Sequence, residues 1–299
     1  MKYQKQFLFT SLFIATTFLT ISAQKLTTPE SSNKSSNKSS NETAAKNSKT
    51  IAQDQTQNTA GDIFTPDLFN KFVEMRVGRG EPVYWYCLGE LYRYPDGKLM
   101  ARVEGIDTAR LFKSESTDAK AVQLSRKTFV YRDPVTNEIL REIDGKKVLP
   151  IEYPYQAITY ELKDGQMLSS VEQGKQPNVQ KIGPGGLNRV RRFGSTIVFS
   201  APLFLNFETP RGRYEAYENY DFFYQIKSGG QIPYQLTWNR RGMLPPFFGR
   251  GDSVFQLVSY RVDKWEFLPK TIREYIEKEA PLWREPPRDL NEIRELQKQ

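Results

Sequence analysis

The chain has 299 residues, 38% of them hydrophobic and 13% aromatic, with one cysteine, no histidine and a formal net charge of +8 at pH 7. Without histidine there is no Ser-His-Asp or Cys-His nucleophile, no imidazole-ligated metal and no imidazole acid-base chemistry; a reaction would need Asp, Glu, Tyr, Lys or Arg, or a hard cation held by oxygen. Lys2 and Lys5 account for +2 of the charge and residues 24–61 for another +2, which leaves +4 over residues 62–299, a mildly basic surface and no nucleic-acid footprint.

Lys2 and Lys5 precede an apolar run from Phe7 to Ile21 that ends on Ser22 and Ala23, the order of a cleaved secretory signal over residues 1–23. The run is short against the ~20 residues of a membrane span, so no stable membrane insertion is expected after cleavage, and the protein is expected to be secreted or periplasmic. An uncleaved anchor is the alternative. Residues 24–61 carry a Ser-Ser-Asn-Lys repeat and a Gln/Thr/Asn/Ala tract with no aromatic residue. Such a segment buries too little apolar surface to offset its ordering entropy and reads as a tether. Asn33, Asn37 and Asn41 match a glycosylation pattern that this polar composition produces by itself.

Residues 62–299 read as a single β-rich domain. Thr65-Pro66-Asp67 followed by Leu68, Phe69, Phe72, Val73 and Met75 predicts a short capped helix that plugs or covers a sheet. Pro82 to Thr108 predicts a long hairpin turning at Pro95-Asp96-Gly97. With Tyr94 opposite Lys98, Glu90 faces Arg102; one face then carries Val83, Trp85, Cys87, Gly89 and Leu91, and the other Tyr84, Tyr86, Leu88, Glu90, Tyr92 and Tyr94 with Met100, Arg102 and Glu104. Cys87 on the apolar face reads as a buried, inert thiol. Further strands are expected at 128–132, 139–143, 157–162, 166–171, 191–199, 203–208, 214–226, 234–239 and 254–262. Pro269 opens a helix bearing Ile272, Tyr275, Ile276 and Ala280; Trp283 and Pro286-Pro287 form an extended link; Asp289 caps a last charged helix from Leu290. These C-terminal helices read as a strap. The expected fold is mainly β: an antiparallel, calycin-like β-barrel or a sandwich, with a short N-terminal helix and C-terminal helices.

The YWYCLGELYRYPDGKLMARVEG block, the DPVTNEIL turn and the TWNRRGMLPPFFGRGD segment, in that order, resemble the mainly bacterial family catalogued as domain of unknown function 1838. The resemblance spans roughly residues 65–288. It implies one domain behind a signal and brings no activity, cofactor or catalytic residue.

Three constellations could carry chemistry. Glu90, Arg102 and Glu104 share a hairpin face with Tyr84, Tyr86 and Tyr92; inside a barrel mouth, Arg102 would hold one carboxylate ionised while a desolvated neighbour acts as acid or base. On a solvent face the same residues would be a weak cross-strand ladder. Trp238, Asn239, Arg240 and Arg241, leading to Phe247 and Phe248, read as a lid, with rings as apolar walls and an arginine to clamp a carboxylate or phosphate. The alternative is a packed barrel-end loop. Glu215, Tyr217, Asn219 and Asp221 share a strand face without calcium-loop spacing, and Gly183-Pro184-Gly185-Gly186 before Arg189, Arg191 and Arg192 lacks the lysine of a phosphate loop. No metal or cofactor is implied. The best expectation is an exported barrel binding a small amphipathic ligand between the tyrosine face and the lid. The alternatives are a cofactor-free lyase, isomerase or hydrolase, and a cell-envelope interaction protein.

Overall fold

The computed structural model describes residues 63–172, 189–209, 212–226 and 234–298. The expected signal, the tether and the Gly183–Gly186 segment lie outside the described residues.

The N-terminal helix α1 (Pro66–Val77) starts where its cap dictates: Thr65 Oγ1 accepts from the Leu68 amide at 3.2 Å, and Pro66 sits where a missing N–H is harmless. The hairpin of β1 (Val83–Tyr94) and β2 (Leu99–Leu111) keeps the expected register from Val83 opposite Ala109 to Leu91 opposite Ala101, with Glu90 facing Arg102. Beyond Leu91 it slips, so that Tyr92 faces Leu99 and Met100 joins the inner apolar cluster rather than the tyrosine face.

The chain continues through β3 (Lys120–Arg132), a small hairpin of β4 (Glu142–Ile143) and β5 (Lys146–Lys147), β6 (Ile151–Lys163) and β7 (Gln166–Glu172). The strand expected over 139–143 shrinks to β4, and Ile139 makes a single bridge to Arg132. After it come β8 (Arg189–Phe193), β9 (Thr196–Thr209), β10 (Gly212–Gln225), β11 (Gln235–Met243) and β12 (Asp252–Val262). The strand expected over 191–199 is two, because Gly194 at φ 57° reverses the chain between β8 and β9. The expected lid is corrected here as well. Trp238 to Arg241 alternate within β11, and only Leu244 to Gly251 form the link, closed by the Leu244 amide donating to Gly251 O.

Among the described residues, ten strands make one antiparallel sheet in the order β7-β6-β3-β2-β1-β12-β11-β10-β9-β8. The first strand thus pairs with the last, as in an up-and-down barrel, and among the described residues β7 and β8 do not pair. The result is a half-barrel. Its curl is severe: Phe72 of α1 packs against Tyr160 of β6 at 5.2 Å and Phe199 of β9 at 5.6 Å, yet β6 and β9 are seven places apart, roughly 34 Å in a flat sheet at ~4.8 Å per strand. Two inward-facing glycines permit it. A Cβ on Gly89 would stand 2.0 Å from Gln256 O and one on Gly105 2.2 Å from Thr128 O, so neighbouring backbones lean over positions that no side chain can occupy.

Three devices cover this sheet. Phe69, Phe72 and Met75 of α1 fill one end of the concave side. The turn at Pro246–Phe248 fills the other, with Phe247 and Phe248 at 5.4 and 5.3 Å from Tyr131. Outside, Trp265 and Leu268 with Ile272 and Ile276 of α2 (Lys270–Glu279) pack on Tyr84, Tyr86, Ile106 and Val130. Ile293 of α3 (Leu290–Lys298) packs on Val122 and Leu124, after Asp289 Oδ1 caps that helix on the Asn291 and Glu292 amides. This is the expected strap. No helix among the described residues is long and apolar enough to cross a membrane.

Candidate functional site

Strand alternation sorts the sequence-predicted residues onto two opposite surfaces. Tyr84, Tyr86, Glu90, Tyr92, Arg102 and Glu104 point outward on β1 and β2, as do Asn239 and Arg241 on β11, whereas Trp238, Arg240, Phe247 and Phe248 belong to the concave side. The two walls expected to enclose a ligand therefore do not face each other.

The outward set is largely structural. Glu104 is 3% exposed under the strap. Its Oε1 accepts from Tyr86 OH at 2.7 Å and Thr271 Oγ1 at 3.2 Å, and its Oε2 from Arg132 Nε at 2.6 Å. Both oxygens are thus occupied, Oε1 joining α2 to the barrel through Thr271 and Oε2 bound by Arg132 of β3, and burial followed by the Glu104 hydrogen bond pushes the Tyr86 phenol up. Tyr84 donates to Glu285 Oε1 at 3.3 Å, which ties down the link between the C-terminal helices. Glu90 and Tyr92 are half-buried and Arg102 is exposed, and Glu90 and Arg102, although opposite in register, form no ion pair. Arg241 lies 4.1 Å over the Tyr94 ring, and Asn239 pairs with Gln256 on the outer face. The face bearing Glu215, Tyr217, Asn219 and Asp221 is also outward, with Asn219 Nδ2 donating to Asp221 at 2.6 Å. No three His, Cys, Asp or Glu side chains come together as metal ligands among the described residues.

The concave side holds a charged and aromatic layer between its two apolar ends. On β10 the inward phase is Tyr214, Ala216, Glu218, Tyr220 and Phe222, the opposite of the phase singled out in the sequence. Arg240 Nε lies 3.2 Å from Glu218 Oε1, its Nη2 donates to Tyr214 OH, and its guanidinium sits 5.6 Å over the Phe255 ring. Glu218 Oε2 accepts from Tyr220 OH at 2.8 Å and from Trp238 Nε1 at 3.2 Å. Trp238 stacks on Tyr220 at 6.0 Å and approaches Phe129 of β3 at 6.4 Å.

A second charged group comes from the other half of the sheet. Arg76 Nη2 donates to Asp107 Oδ2 at 2.6 Å, and Lys127 Nζ lies 3.6 Å from that same oxygen. Arg76 Nη1 and Asp107 Oδ1 are buried without a hydrogen-bond partner among the described residues. Tyr153 stands beside Lys127 in register, and burial, with the Glu218 charge adding to it, pushes its phenol up to about 12. It nevertheless keeps 37% of its surface open. Cys87 points to the same side, buried, and burial pushes its thiol up to about 12, which keeps it protonated and inert.

The arrangement offers donors: phenols kept neutral, a guanidinium and an ammonium, set among aromatic rings. Tyr214, Glu218 and Tyr220 lie on the acidic-aromatic strand singled out in the sequence but in its other phase, whereas Tyr153 of β6 and Lys127 of β3 carried no signal beyond strand alternation. No family model matches the chain, and no curated protein matches it.

Proposed function

We propose that the protein is an exported binding protein that holds a small amphipathic ligand on the concave side of the half-barrel. One observation carries this reading: Trp238 presents its indole to Phe129 and Phe255 at 6.4 and 5.7 Å while its Nε1 donates to Glu218, the partner of Arg240. An apolar floor thus adjoins hydrogen-bonding groups that fix orientation, the usual composition of a small-molecule site. Export rests on the signal read at residues 1–23. The family resemblance is likewise a proposal, and it names no activity on which this reading depends.

The test is native mass spectrometry of the full chain purified from its own compartment. A stoichiometric small molecule, lost on Trp238→Ala and kept on the outer-surface change Leu88→Ala, supports the reading. A chain that is empty however gently it is prepared overturns it.

A further inference from the structure

The balance of charge on the concave side says which ligand class fits. The cations Arg76, Lys127, Arg240 and Arg261 of the concave side are met by Asp107, Glu218 and the exposed Asp263. Lys127 is the odd one out. Asp107 is already held by Arg76 at 2.6 Å, so the lysine keeps only a 3.6 Å ion pair to a shared oxygen and no hydrogen bond, though its side chain is just 18% exposed. An ammonium so far from bulk water is costly unless something compensates it. Opposite it in register stands Tyr153, a neutral phenol on the same face. One residue pair further along β3, also facing inward, Phe129 meets Trp238 at 6.4 Å. Lys127 and Phe129 are thus separated by the ~7 Å of an i, i+2 step on β3, with Tyr153 across from Lys127 on β6.

We propose that the ligand is a monoanion, an aromatic or similarly flat apolar carboxylate, whose carboxylate accepts from Lys127 Nζ and Tyr153 OH while its apolar body rests against Phe129 and Trp238. The inference rests on the binding function proposed above and specifies its ligand class. Carboxylate occupancy gives Lys127 the hydrogen-bonded partner it lacks.

The experiment uses calorimetric titration of the full chain with three probes of one shape: 2-naphthoate, 2-naphthylmethanol and 2-naphthylmethylamine. The expected order is carboxylate at least tenfold tighter than alcohol, with the amine weakest. Lys127→Gln is expected to remove that preference while leaving the alcohol within about twofold; Lys127→Arg should restore most of it. Tyr153→Phe, which keeps the ring, should weaken the carboxylate alone by about fivefold. Near-ultraviolet circular dichroism identifies any variant that has lost its packing, and the probe order on the unmodified chain decides the matter without variants. Equal binding of all three probes, or preference for the amine, overturns the ligand class and leaves the binding function standing. If none binds while native mass spectrometry finds a retained molecule, the ligand class falls alone; if none binds and nothing is retained, both fall.

Discussion

Phe129 of β3 and Trp238 of β11 face each other at 6.4 Å between ring centroids, although three strands lie between theirs in the sheet. That contact exists only because the sheet curls, and the curl requires positions without a Cβ. Gly89→Ala would place a methyl carbon 2.0 Å from Gln256 O. The expected cost is about 1 to 3 kcal/mol, the usual range for overpacking a filled site. Urea unfolding reads it directly, and an unchanged midpoint would contradict the close approach of β12 over β1.

Glu104 should behave as the fastening of the strap. Glu104→Gln is expected to destabilise by about 3 kcal/mol, the low end for removing one charge of a buried pair, because the amide retains an acceptor for Tyr86 and Thr271. Tyr86→Phe should cost about 1 kcal/mol. In both, hydrogen exchange of α2 should accelerate before that of β1. Uniform acceleration across barrel and strap would show that Glu104 supports the whole fold and does not fasten α2 in particular.

Acid should loosen the strap. Arg141 donates to both oxygens of Glu279 at 2.6 and 2.7 Å and holds its carboxyl below the usual range. Glu292 is partly buried, which works the other way, but the Arg288 amide and then Arg126 bring its value down. A carboxyl lowered in the folded state contributes stability above its unfolded value of about 4.3, and that contribution disappears as pH falls through the folded value. Both groups are partly solvated, so the expected effect is modest. Urea midpoints near pH 6 and pH 3 measure it; the double change Glu279→Gln, Glu292→Gln should flatten the difference, and an undiminished difference would place the acid sensitivity elsewhere.

Local structure was legible in the sequence wherever one short-range rule was enough. Thr65-Pro66 placed α1, and the Glu90–Arg102 pairing placed the hairpin register. What alternation could not decide is which face of β1 looks inward. Tyr84 and Trp85 are both buried, the one under the strap and the other in the barrel, because each surface of this strand is covered by a different part of the chain. The same ambiguity hid the site. Glu215, Tyr217, Asn219 and Asp221 and the opposite phase with Glu218 and Tyr220 are equally polar and aromatic, and only the pairing of Glu218 with Arg240 from β11 sets one phase inside. Lys127 stood out in no motif, since its partner Asp107 lies on a different strand and Arg76 on a helix 31 residues before it.

Cys87 provides a probe of the interior. Because its thiol is buried and burial raises it to about 12, reaction with a disulfide reagent near pH 8 should be slow in the folded chain and at least a hundredfold faster in denaturant. Rapid reaction without denaturant would mean that the concave side is open at the level of Cys87.

In the binding function proposed above, a ligand on the concave side meets Trp238 and leaves the strap untouched. Fluorine NMR of the full chain carrying 5-fluorotryptophan separates the two, since Trp238 faces inward while Trp265 and Trp283 lie with the outer strap cluster. On addition of 2-naphthoate, the resonance removed by Trp238→Phe is expected to shift while those of Trp265 and Trp283 stay in place. Shifts confined to Trp265 or Trp283 would contradict the account.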